Sequence, residues 1–261
     1  GGIGDYADAP YNTETDYPAD NSRVVVMGLC PSVMTTADSH TTYSLPSSGA
    51  GLTDVLVTPN GVTGSRKQPF GRALEFAHAA VRIVLKARRT DNTVGKLYVK
   101  NLKLTVPARL VCGGLKWDTG TKQYLAAPAA ADLVINHSGQ ILSTEDTQVA
   151  VFYLTPCSPA DLLTDLTGTG GTPGLTLMAD VAKDINFTTG ARNASFPILD
   201  GNLNFMDQFG SPATQLKGGE SYETTLKFDI DSFTLEGEEK EWEDGGKMTV
   251  PVVVPEPTPG P

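Results

Sequence analysis

The chain has 261 residues, 39% hydrophobic and 19% charged, with 27 Gly and 18 Pro spread along it. Such a balance fits one large or two modest globular domains, and the frequent Gly and Pro favour many short β elements over a helix bundle. The net charge of −10, with acid gathered late in "EGEEKEWEDGG", excludes nucleic acid as a partner, because a binder needs excess Lys and Arg to neutralise phosphates.

The first twenty residues are polar and turn-rich. They lack an initial Met and a secretory apolar core, as expected of a mature or trimmed fragment. "RVVVMGL" (residues 23–29) is short, β-branched and stopped by Pro31, so it predicts a strand. "TDVLVTP" (53–59) predicts another. "LEFAHAAVRIVLKAR" (74–88) is the densest apolar patch. As a helix it would be apolar on more than one face. As strands it divides into two alternating pieces, with the phase breaking at Ala79-Ala80. Periodicity alone does not decide between them.

"KLYVKNLKLTVPARLV" alternates well, but its phase shifts by one residue between Val99 and Leu102. That predicts a bulge or tight bend near Asn101. "YLAAPAAAD" (124–132) has the small residues and Pro of a linker. It sets the expected boundary between residues 1–127 and 128–261, two β-sandwich domains. "QVAVFYLTP" (148–156) is strongly β-prone. "SPADLLTDLTG" (158–168) has a capping Ser, Pro at the first helical position and an apolar stripe, and predicts one short helix. "FMDQF" suggests a helical turn. "SYETTLKFDIDSFTLEG" sets Tyr222, Thr224, Leu226, Phe228 and Ile230 against polar partners, a strand with one wet face. The sum is an all-β sandwich class with few short helices.

Candidate chemistry is sparse. His78 is the obvious catalytic candidate, because histidine is the side chain most often used for proton transfer, yet no Gly-x-Ser-x-Gly elbow or nearby Cys supplies a nucleophile. A structural His, hydrogen-bonded at a strand end, is expected. His40 and His137 stand in polar, loop-like stretches without a metal-binding spacing. Cys30, Cys112 and Cys157 are far apart, without a CxxC pair, and read as buried free thiols. "GTGGTPG" (168–174) lacks the sixth-place Gly and the following Lys of a phosphate loop, and reads as a surface loop. "DIDSFTLEGEE" lacks the spacing of a calcium loop. No catalytic set, cofactor or metal site is expected, and the chain is not expected to be an enzyme.

Several of these stretches, taken together, resemble the fimbrillin-like proteins of Bacteroidales, the type V pilus subunits and their relatives. "LEFAHAAVRIVLKA" resembles that family's Leu-x-Phe-x-His signature with its alternating aliphatic run. "TDVLV" before it, "KLYVKNLKLTV" after it, and "LKGGESYETTLKFD" followed by "FTLEGEEKEWEDGG" near the end are similar to further family segments in the same order. The resemblance covers scattered pieces from about residue 50 to 246. It implies two tandem transthyretin-like β-sandwich domains, with Leu74, Phe76 and His78 in core strands of the first and Trp242 near the end of the second.

The function so implied is that of a structural and adhesive subunit of a cell-surface fimbria. Assembly would proceed by strand addition: an open groove in one subunit receives an extended strand from the next. "KMTVPVVVP" (247–255) is the best donor, with Met248, Thr249, Val250, Val252, Val253 and Val254 as the candidate interacting residues, and Pro251 is tolerable at an edge. Partners would be other fimbrial subunits joined head-to-tail, and a host or bacterial surface receptor. No integral membrane segment is expected. The implied location is the cell surface, reached through the outer membrane by way of a lipoprotein precursor. The alternative is a secreted carbohydrate-binding β-sandwich module. That would need an exposed aromatic platform, for which Trp117 and Trp242 are the available residues.

Overall fold

The computed structural model describes residues 18–37, 41–58, 62–69, 75–89, 98–139, 144–158, 161, 174–182, 186–188, 192–197, 216–228, 233–241 and 247–252. The described chain is nearly all β. In order the strands are β1 (Val24–Val26), β2 (Leu29–Cys30), β3 (Thr35–Ala37), β4 (Thr42–Ser44), β5 (Leu56–Val57), β6 (Val62–Gly64), β7 (Ala77–His78), β8 (Val81–Arg89) and β9 (Tyr98–Val106). Then follow β10 (Cys112–Asp118), β11 (Gln123–Pro128), β12 (Leu133–His137), β13 (Thr147–Leu154), β14 (Thr176–Ala182), β15 (Arg192–Pro197), β16 (Glu220–Phe228), β17 (Phe233–Glu241) and β18 (Lys247–Val252).

Two sheets make the larger sandwich, in the orders β13-β8-β16-β17-β18 and β12-β9-β14-β15. Their facing rows supply one apolar core, from Val81, Ile83 and Leu85 through Leu102, Leu104, Phe152 and Leu177 to Tyr222, Leu226 and Phe228. Burying each such large side chain contributes about 1.5–3 kcal/mol. Two further sheets, β11-β10-β4-β3 and β2-β5-β7, contribute to a smaller cluster of Leu45, Val55, Val57, Ala80, Cys112 and Leu115. Strands β1 and β6 form a separate two-stranded ribbon.

The dense patch at 74–88 is therefore two strands. β7 ends at His78, and β8 starts at Val81 with buried Val81, Ile83 and Leu85 on the core side. The break falls at Ala79-Ala80, where the Ala79 amide bonds the Val55 carbonyl at 2.8 Å. β-Branched Val and Ile suit a pleated surface better than a helix, where their χ1 freedom is lost.

The phase shift in β9 is a bulge. Asn101 has φ 51°, and the register opposite it slips between Met178 and Asp180. Asn tolerates this left-handed conformation better than most residues, and its Nδ2 donates to Asp180 Oδ2 at 2.7 Å. The slip returns Leu102, Leu104 and Val106 to the side of Val99, all buried.

Three expectations change. "RVVVMGL" is not one strand: β1 pairs β6 while β2 pairs β5. The outward row of β16 is not wet, since Ser221 and Thr225 are 2% and 8% exposed. The arms of ionic side chains lie over them. Arg82 Nη1 donates to Ser221 Oγ at 3.3 Å, Lys86 Nζ lies 2.6 Å from Glu223 Oε2, and Thr225 Oγ1 donates to Asp146 Oδ2 at 3.3 Å. His137 is not in a loop but on β12, opposite Leu102.

Four ladders, β8–β13, β8–β16, β9–β12 and β9–β14, join residues on either side of position 127/128. The two apolar clusters are thus interleaved along the chain. Of the expected helix, Ser158 and Asp161 are described: the Ser158 amide and hydroxyl both donate to Asp161 Oδ2, a capping arrangement. The remainder of that helix, "FMDQF", His40, Leu74, Trp242 and the 168–174 loop before Gly174 lie outside the described residues.

Candidate functional site

The candidate donor segment forms β18, whose backbone pairs antiparallel with β17 from Phe233↔Val252 to Glu238↔Lys247. Met248, Thr249, Val250 and Val252 belong to it, whereas Val253 and Val254 lie outside the described residues. Among the described strands β17 is its one neighbour, so β18 is an edge of the five-stranded sheet. An edge strand keeps one row of backbone donors and acceptors open to another chain.

The opposite edge, β13, is tied down where it meets the small cluster. The Tyr153 amide donates to the Gly51 carbonyl at 2.8 Å, and the Gly51 amide donates to the Cys112 carbonyl at 2.7 Å. Val111 bridges Leu154, and the Thr155 amide donates to the Leu110 carbonyl at 2.9 Å. Gly51 has φ 72°, and a Cβ there would lie 2.6 Å from Val111 Cγ1 and 2.8 Å from Leu133 Cδ2. Only Gly fits this splice between β10 and β13 without strain.

Register then fixes the polarity of the sheet. Val81, Leu154 and Ser221 mark the end joined to the small cluster. Val252 lies level with Phe233, Phe228 and Arg89 at the other end. β18 therefore runs away from the small cluster.

The second candidate is His78. Its Nδ1 lies 2.6 Å from Asp54 Oδ2, and the two side chains are 30% and 23% exposed. A carboxylate can only accept, so Nδ1 carries the proton. Asp54 Oδ1 is buried without a hydrogen-bond partner. Nearby, burial raises the Tyr153 hydroxyl, the Asp54 charge raises it further, and Arg82 opposes both.

Cys30 is held apart from this pair. Cys30 and His78 both flank Leu56 in register, from β2 and β7. Two strand spacings, about 10 Å, separate their backbones, and Leu56 stands between them. Burial pushes the Cys112 and Cys157 thiols up to about 12, which leaves them protonated and unreactive at neutral pH. Cys30, by contrast, is exposed rather than buried as expected. Among the described residues no three His, Cys, Asp or Glu side chains converge as metal ligands, and no helix is long and apolar enough to cross a membrane.

Of the described members of the Leu74, Phe76, His78 set, His78 lies in a strand as expected, whereas Phe76 lies outside one. His78 is half-buried on β7, and Phe76 is 43% exposed. Phe76 packs instead against Gly28, where an added Cβ would meet its ring at 2.6 Å.

Trp117 packs against Tyr124, which also meets Tyr43, and the two tyrosines lie against the small cluster. Trp117 and Tyr124 meet edge-to-face at 62°, and Tyr43 and Tyr124 at 68°. Crossed rings do not make the flat platform that stacks on a sugar face.

Asp54 and Gly51 were not singled out in the sequence, although each left a trace. Asp54 opens the aliphatic run "DVLV", and Gly51 closes the Gly-rich turn "SSGAG". Neither trace names its partner, because Gly51 meets Tyr153 and Asp54 meets His78 only in the fold.

The sequence matches no protein-family model and no curated protein. Among solved structures it is similar to a candidate cell adhesion protein of Bacteroides uniformis, at 13% identity and TM-score 0.47, over 87% of this chain and 75% of that one. It is also similar to one of Parabacteroides distasonis, at 9% identity and TM-score 0.40, over 69% of this chain and 57% of that one. A third, of Bacteroides ovatus, shows 11% identity and TM-score 0.39, over 91% of this chain and 70% of that one.

Proposed function

We propose that this chain is a structural and adhesive subunit of a cell-surface filament of the fimbrillin-like kind, assembled head-to-tail by strand addition. The observation that carries the reading is the place and direction of β18: an edge strand that runs away from the small cluster. Met248, Thr249, Val250, Val252, Val253 and Val254 are the proposed donor residues. A strand held on one side can exchange one set of main-chain bonds for another at little net cost. Head-to-tail contacts of this heterologous type extend filaments where the rotation between subunits does not close a ring.

The acceptor is proposed in the small cluster of a neighbouring subunit. There Leu29, Met34, Tyr43 and Tyr124 are only partly buried against the core, so an added strand would cover apolar surface as well as backbone. In this reading the two clusters are two transthyretin-like units, divided by sheets rather than at a single point of the chain. The partners are other subunits and a surface receptor, the location is the cell surface, and export passes through a lipoprotein precursor.

Deletion of residues 247–261 tests the proposal. The shortened protein should retain its β circular dichroism and cooperative unfolding while failing to enter filaments seen by electron microscopy. Unfolding of the larger sandwich would make β18 an integral strand, and normal assembly would place the donor elsewhere. Either result removes the proposal.

A further inference from the structure

No further inference is drawn: the strongest candidate, the apolar patch where Phe76 lies exposed over Gly28 beside the exposed Cys30 of β2, carries nothing because nothing in the structure shows what covers it.

Discussion

His78 Nδ1 and Asp54 Oδ2 lie 2.6 Å apart, joining β7 to the residues that lead into β5. The bond orients the imidazole and gives Asp54 a partner, while the other carboxylate oxygen stays buried without one. His78→Ala should therefore lower stability by about 1–3 kcal/mol, since it leaves a poorly hydrated carboxylate unpaired. Asp54→Ala combined with His78→Ala should cost less than the sum of the two single changes. Urea unfolding of the four proteins measures the coupling, and additive effects would mean that the contact contributes nothing.

Gly51→Ala should cost about 2–5 kcal/mol, the sum of a left-handed backbone penalty and overpacking against Val111 and Leu133. Hydrogen exchange should accelerate first at Tyr153 and Gly51, whose amides span the splice. A change confined to the 46–52 turn would show that the splice does not bind β10 to β13.

The buried thiols set an alkaline limit. Cys112 and Cys157 ionise near 9.0 when solvated and near 12 in the fold. Above pH 9 the unfolded chain releases these protons while the folded chain keeps them. Their contribution is thus complete below pH 9 and falls as pH rises from 9 toward 12. The slope of unfolding free energy against pH over 9–11 should be shallower in Cys112→Ala/Cys157→Ala than in the parent. In the native protein at pH 8, a thiol reagent should modify Cys30 well before the other two.

Trypsin should cut after Lys122, exposed in the turn of the β10–β11 hairpin with φ 54°. The nicked fragments should elute together in size exclusion without denaturant, because the ladders from β8 and β9 reach β12, β13, β14 and β16 beyond the cut. Separation into two folded halves would show that these ladders do not hold the chain together.

Alternation made most long strands legible. β8, β9, β13 and β16 each carry a buried row that a period of two reveals, and the Asn101 bulge appeared as a slip in that period. What the sequence hid was pairing between distant segments. Nothing local tells β8 that its parallel neighbour is β16, or that Gly51 will stand between Cys112 and Tyr153. "RVVVMGL" failed for a similar reason, since its halves pair with different partners. Ser221 and Thr225 look like wet-face residues until Arg82, Lys86 and Asp146 are placed beside them. The site was legible as an apolar segment able to form a strand, but its edge position depends on which sheet receives it.

Because Arg82 and Ser221 are 139 residues apart yet sit side by side, the centre of the five-stranded sheet closes late in folding. During synthesis, β8 emerges long before its parallel partner exists, and only β13 can shield one flank in the meantime. Loop closure over that distance must precede the stabilisation that the ladder brings, which slows the docking of β16. A chain in which β16 had not yet docked would present Val81 to Ala87 as an open, aliphatic strand, a template for mispairing with other copies. The ionic residues interspersed along it, Arg82 and Lys86, would then act as gatekeepers before they become the cover of the finished sheet.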